Sequence, residues 1–124
     1  MSEEKAPRHP FLDDLAPDAE LRGTTLRRTV KGRDNIRRLV ETTGSLYASQ
    51  KPLFLDKVGN RSFLGYEATL SNGRELRGVV VIDRDDEGTV HSVSVTFSLL
   101  STALSLSARQ GALLEEKFGS DLFI

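Results

Sequence analysis

The stretch Ser62-Phe63-Leu64-Gly65-Tyr66-Glu67-Ala68-Thr69-Leu70-Ser71-Asn72-Gly73-Arg74-Glu75-Leu76-Arg77-Gly78-Val79-Val80-Val81-Ile82-Asp83 decides the fold. Two runs of strand-forming residues flank Asn72-Gly73, and both members of that pair tolerate the positive φ that a two-residue hairpin turn demands. With Ser71 and Arg74 flanking the turn, Ala68 is expected opposite Arg77, Tyr66 opposite Val79, Leu64 opposite Val81 and Ser62 opposite Asp83. A three-residue loop of Asp86, Glu87 and Gly88 carries the pairing to the next strand. It sets Asp83 opposite His91, Val81 opposite Val93, Val79 opposite Val95 and Arg77 opposite Phe97. With a further turn at Gly59-Asn60, after a run that begins at Pro52, the chain reads as an antiparallel meander of four strands.

One face of this sheet then collects Leu64, Tyr66, Ala68, Val79, Val81, Val93, Val95 and Phe97, which helices must cover to remove from water. The other holds Phe63, Gly65, Glu67, Thr69, Leu76, Gly78, Val80, Ile82, Ser92, Ser94 and Thr96. Such a mixture of small hydroxyl and aliphatic residues suits a sheet-to-sheet contact, so a homodimer through the outer face is expected, with a merely wet convex face as the alternative.

Outside the meander, Pro10 suits the first turn of a short helix carrying Phe11, Leu12 and Leu15, which Pro17 ends. Ala19 to Arg28 reads as a strand kinked at Gly23. Asp34 can cap a helix whose apolar residues Ile36, Leu39, Val40, Thr43 and Leu46/Tyr47 recur at three- and four-residue spacing. Leu99 to Lys117 is a second helix with a broad apolar side, and Gly119 can stop it. The last residues, Asp121-Leu122-Phe123-Ile124, are too apolar for a free tail and are expected to pack on the body or on a partner. Residues 1–9 read as a flexible tail and 10–124 as one domain.

The 124 residues carry 17 Lys+Arg against 18 Asp+Glu, a balance that argues against a protein built to hold polyanions. Arg22, Arg27, Arg28, Lys31, Arg33, Arg37 and Arg38 form a local basic excess, but no aromatic residue lies among them to stack on bases, so no nucleic-acid partner is expected. There is no cysteine and only two histidines, His9 and His91, which removes disulfide and thiolate chemistry and leaves no metal site expected. The longest aliphatic run, Val79 to Ile82, is far short of the roughly 20 residues a spanning helix needs, so no membrane partner is expected. The Met1 to Pro7 segment lacks the apolar stretch of a secretory leader, and a cytoplasmic location is the expectation. No phosphate loop or nucleophile elbow is present, and no cofactor is expected.

The order of elements, the run Phe11-Leu12-Asp13-Asp14-Leu15-Ala16-Pro17-Asp18-Ala19-Glu20-Leu21, and Lys31-Gly32-Arg33-Asp34-Asn35-Ile36 at the start of a helix resemble the nuclear transport factor 2-like superfamily, in particular its SnoaL-like branch. The resemblance covers about Phe11 to Leu114. It implies an α+β cone, a curved antiparallel sheet covered on one face by helices and enclosing an apolar pocket, often in a dimer. Members include steroid isomerases, polyketide cyclases, epoxide hydrolases, dehydratases and many proteins with no known reaction.

In such a pocket the register above places Tyr66, Arg77, Asp83, His91 and Phe97, with Tyr47 contributed by the covering helix. Asp83 opposite His91 is the candidate catalytic pair, since a carboxylate beside an imidazole is an ingredient of general acid–base chemistry; a surface ion pair is the competing reading. Tyr47, Tyr66, Arg77 and Phe97 are the candidate ligand-binding residues, with core packing and ion pairing as their competing roles. Three functions follow: a binding domain for a small, mostly apolar molecule; an isomerase, cyclase or hydrolase acting in the same pocket; or a structural dimerisation module with a filled core.

Overall fold

The computed structural model describes residues 9–124, so the tail expected over residues 1–9 lies, apart from His9, outside the described residues. A single 3-10 turn, Leu12–Asp14, leads into strand β1 (Leu15–Gly23), followed by the short β2 (Val30–Lys31) and helix α1 (Arg33–Ser45). Four long strands come next: β3 (Tyr47–Val58), β4 (Arg61–Leu70), β5 (Glu75–Arg84) and β6 (Val90–Ser98). Helix α2 (Leu100–Phe118) closes the chain. The strands form one six-stranded sheet in the order β2-β1-β6-β5-β4-β3.

The four-strand meander is as expected, but its register is not. Thr69 pairs with Glu75, Ala68 with Leu76, Tyr66 with Gly78 and Leu64 with Val80, one residue away from the expected pairing. The cause is the turn. Gly73 N–H donates to the Leu70 carbonyl at 2.9 Å and Leu70 N–H to the Arg74 carbonyl at 2.8 Å, so three residues, Ser71-Asn72-Gly73, make the loop. Of these only Gly73 has a positive φ, 85°, which is the three-residue hairpin built on a type I turn rather than the two-residue turn that needs two such residues. The expected loop Asp86-Glu87-Gly88 does form, with Asp85 N–H donating to the Thr89 carbonyl at 2.9 Å. Beyond it, however, Arg84 pairs with Val90 and Asp83 with Ser92, leaving His91 as the extra residue of a bulge. From there Ile82 pairs with Val93, Val80 with Val95 and Gly78 with Phe97.

These two displacements add to a two-residue shift between β4 and β6, which leaves the faces of both unchanged, so only β5 turns over, because a one-residue slip exchanges the faces of a strand. Leu76, Gly78, Val80 and Ile82, expected outside, are buried beneath the helices. Arg77, Val79, Val81 and Asp83, expected inside, lie on the outer face with their cross-strand partners. Arg77 there pairs with Glu67 at 3.3 Å and Asp83 with Arg61 at 2.6 Å.

Elsewhere β1 starts at Leu15, so Pro17 lies in a strand rather than behind a helix, and the expected strand Ala19–Arg28 ends early at Gly23. The sheet is mixed: β1 runs parallel to β6. Gly32 (φ 98°), not Asp34, precedes α1, and Tyr47 is the first residue of β3 rather than part of the helix. Ile36, Leu39 and Thr43 of α1 and Ala103, Leu106, Gln110 and Leu114 of α2 turn toward the sheet. Gly119 ends α2 as expected, with φ 85°. The C-terminal segment packs on the body: Phe123 bridges Leu26, Arg27 N–H donates to the Leu122 carbonyl at 2.8 Å, and Ser107 Oγ donates to the Ile124 carbonyl at 2.6 Å. Among the described residues no helix is long and apolar enough to cross a membrane.

Candidate functional site

Between the helices and the concave face of the sheet lies a cavity of about 380 Å³, within the range of small-molecule sites. Leu21 of β1, Leu39 and Val40 of α1, Leu64 of β4, Val80 of β5, and Val95 and Phe97 of β6 supply most of its wall. Leu26, Phe11 and Pro10 complete the apolar lining. Its polar residues are His9, Thr25, Thr43, Tyr47, Gln50, Tyr66 and Gln110, and among the described residues no Asp, Glu, Lys or Arg lines it.

Tyr47 and Tyr66 meet through their hydroxyls at 2.8 Å, with ring centroids 5.9 Å apart. Their position depends on a glycine: a Cβ on Gly78 would fall 2.5 Å from Tyr66 Cζ, so the ring lies flat across β5 only because that residue has no side chain. Burial raises the pKa of both phenols, Tyr47 further than Tyr66, because a phenolate there would be stripped of water; the bond to Tyr47 opposes the rise at Tyr66. Both hydroxyls therefore keep their protons. One proton lies between the two oxygens and the other is available to an acceptor in the cavity.

Deeper in, Thr43 Oγ1 donates to the Leu39 carbonyl at 2.8 Å, which uses its only proton. Thr43 can then only accept from Gln110, whose Nε2 lies 2.8 Å away. With this network the Gln110 amide is assigned nitrogen toward Thr43, oxygen away. Gln110 is 2% exposed, and its Oε1 meets no donor among the described residues. An unmet buried acceptor costs about 1–3 kcal/mol.

His9 stands at the edge where the chain enters. The backbone N–H groups of Phe11 and Leu12 donate to its Nδ1 at 3.2 and 3.1 Å, which assigns its proton to Nε2. Burial lowers its pKa, partly offset by Asp13, so the ring is neutral near pH 7. Arg84 secures this segment: its guanidinium donates to the Pro10 carbonyl at 2.7 Å, the Gly88 carbonyl at 2.8 Å and the Asp14 carboxylate at 3.0 Å.

Of the residues expected at the site, Tyr47, Tyr66 and Phe97 line the cavity together. Arg77 does not, being paired with Glu67 on the outer face. Asp83 and His91 do not meet. Asp83 binds Arg61, while His91 Nε2 lies 2.9 Å from Asp85 Oδ2 at the rim of the β5–β6 hairpin, where His91 and the turn amides of Thr89 and Glu87 hold the Asp85 carboxyl below its usual pKa. Sequence reasoning missed Gln110, although a signal was present: it falls at helical spacing with Ala103, Leu106 and Leu114, an amide on an apolar stripe. It also missed His9 and Arg84, which act through backbone groups that carry no pattern of their own.

No protein-family model and no curated protein matches the sequence. Solved structures do. An uncharacterised bacterial protein with a cystatin-like fold from Silicibacter pomeroyi superposes with a TM-score of 0.80 at 18% identity, over 90% of this chain and 82% of that one. The chain has the cystatin-like, NTF2-like fold. A steroid delta-isomerase from Pseudomonas aeruginosa matches with a TM-score of 0.78 at 21% identity over 85% of this chain and 77% of its own. An NTF2-like protein of unknown function from Burkholderia xenovorans matches at 0.62 and 22% identity, over 70% and 66%. Other neighbours carry the SnoaL-like description. At these identities the likeness is one of fold.

Proposed function

We propose that this protein is a binding domain for a small, neutral, mostly apolar molecule held between the helices and the sheet. The observation that carries the reading is the uncharged lining of the 380 Å³ cavity. A charged ligand would lose its hydration there with no counter-charge to replace it, whereas an apolar one gains roughly 25 cal/mol for each Å² it removes from water. The protonated Tyr47–Tyr66 pair supports an oxygen acceptor on that molecule, such as a carbonyl.

The same tyrosine pair, together with the steroid delta-isomerase among the structural neighbours, supports a second reading, an isomerase-type enzyme. Its difficulty is the base. No carboxylate lines the cavity among the described residues, and the unprotonated nitrogen of His9, the one histidine in the lining, is already taken by the Phe11 and Leu12 amides. The outer face also supports a homodimer: Phe54 and Val79 are 44% and 40% exposed beside Ser94 and Thr96, with the Arg77–Glu67 and Arg61–Asp83 pairs among them.

Native mass spectrometry of the purified protein, with a denatured extract of the same sample, tests these points together. The expected result is a dimer carrying a neutral apolar compound. A protein that retains nothing and takes up no neutral apolar compound at millimolar concentration refutes the binding reading, and a monomer refutes the interface.

A further inference from the structure

His9, Pro10 and Phe11 form a continuous run of the cavity wall. Two kinds of bond hold that run in place. Arg84 donates to the Pro10 carbonyl at 2.7 Å and Arg37 to the Leu12 carbonyl at 3.0 Å, and a guanidinium keeps its charge at every ordinary pH. The His9 ring supplies the other kind, since its Nδ1 takes the backbone N–H groups of both Phe11 and Leu12 at 3.2 and 3.1 Å. A backbone N–H can only donate, so Nδ1 holds the turn only while it carries no proton. We infer that His9 is a pH-operated catch on the cavity wall: protonation of Nδ1 releases the Phe11 and Leu12 amides, loosens the wall they carry and weakens the hold on the bound molecule.

The inference rests on the cavity being a binding site, and adds how that site is regulated. An imidazolium has no acceptor nitrogen, and its new N–H would face two other donors on a buried stretch of chain, so ring and amides must part. The charged groups around the ring act in both directions. Asp13, whose carboxylate also takes the His9 N–H at 3.2 Å, and Glu41 of α1 favour the cation, whereas Arg37 of α1 opposes it. Arg84 of β5 reaches the same segment with its charge met by Asp14 at 3.0 Å. Burial of the ring outweighs the acidic neighbours, so the catch is closed near neutral pH and opens as the pH falls below 6.5. Reciprocity then sets binding against protonation: a molecule that needs the wall in place favours neutral His9. His91, on the β5–β6 hairpin, binds Asp85 at 2.9 Å and does not line the cavity.

Benzophenone, a neutral apolar ketone with no titratable group, is the probe, so that pH acts through the protein alone. Titration calorimetry of the whole chain should show its affinity steady from pH 8 to 7 and about 5- to 10-fold weaker at pH 5 than at pH 7, the range set by one lost hydrogen bond. In His9→Asn, whose amide offers an acceptor that does not titrate, the ratio between the two pH values should fall to about one; in His91→Gln it should persist. ¹⁵N spectra of the unmodified protein give a second readout, with His91→Gln identifying the His9 ring signals. His9 Nδ1 should be unprotonated at pH 7 and gain its proton over the interval in which the Phe11 and Leu12 amides lose exchange protection, relative to their intrinsic rates, while Val93 keeps it. Equal affinity at pH 7 and 5, or a fall that survives His9→Asn, overturns the inference and leaves the cavity a binding site. Loss of protection at Val93 together with Phe11 and Leu12 is unfolding of the whole domain and overturns it as well. No binding at pH 7 overturns both the catch and the binding reading. Should His9→Asn fail to fold, the spectra decide, and Phe11 and Leu12 still protected at pH 5 is the refuting result.

Discussion

Gly78→Ala isolates the contact on which the tyrosine pair depends. No positive φ requires glycine there, so the whole effect comes from the methyl group. That methyl would lie 2.5 Å from Tyr66 Cζ, 2.7 Å from Cε1 and 2.8 Å from the hydroxyl oxygen. Carbon atoms in contact sit about 3.5–4.0 Å apart, so the ring must retreat by about 1 Å. A retreat of that size stretches the 2.8 Å bond to Tyr47 to the edge of hydrogen-bond range. Overpacking of this kind costs about 1–3 kcal/mol and the weakened bond about 1 more, giving a loss of about 2–4 kcal/mol. In urea unfolding this lowers the midpoint by roughly 1–2 M with an unchanged slope. The control is the same substitution in Tyr66→Leu, where the space over β5 is free. There Gly78→Ala should be neutral or stabilising by up to about 1 kcal/mol, because alanine restricts the unfolded chain. Gly78→Ala tolerated within about 0.5 kcal/mol in the unmodified protein, or equally harmful in both backgrounds, would refute the argument.

Alkaline titration reads the same pair directly, since the chain has two tyrosines and no tryptophan. Absorbance of phenolate should stay low at pH 10, the ordinary midpoint, and rise only with unfolding; stability falls above pH 10 because the unfolded chain ionises first, and half-titration at pH 10 in the folded protein is the contrary result. His9 has the opposite pH window. Its folded pKa lies below 6.5, so the unfolded chain takes up the proton first and stability declines as pH falls below about 6.5; His9→Asn, which keeps an acceptor for the Phe11 and Leu12 amides, should flatten that slope in denaturation curves taken from pH 7 to 5. Arg84→Gln should cost about 2 kcal/mol, since it loses charge-assisted bonds to Asp14 and two carbonyls, and should speed hydrogen exchange at Leu12 more than at Val93; equal exchange at both positions would contradict the assigned role.

The meander, both helices and the inward placement of Tyr66 and Phe97 were legible because they rest on periodicity, which survives a uniform slip. The face of β5 was not, because its sequence is permissive: Leu76, Val80 and Ile82 compete with Val79 and Val81 for the interior, and hydrophobicity alone does not choose. The choice was made by backbone details at Gly73 and His91, where Asn-Gly permits two turn types and a bulge leaves no compositional mark. Asp83 and His91 drew attention as a pair only through that register. Gln110 was overlooked because its meaning depends on which of its amide atoms Thr43 engages, a matter of three-dimensional contact.

The bridge between Phe123 and Leu26 has a consequence for the order in which the molecule is made. Thr25 and Leu26 line the cavity early in the chain, yet the strand-like segment that pairs with them is translated almost 100 residues later, and Gln110 arrives on the helix just before it. A nascent chain can pair β3 to β6 by local hairpins as it emerges. The cavity wall waits until residues 122–124 are free of the ribosome. Replacing Leu122 and Phe123 by serine should therefore disturb binding more than sheet content, since β3 to β6 pair with one another and not with this segment.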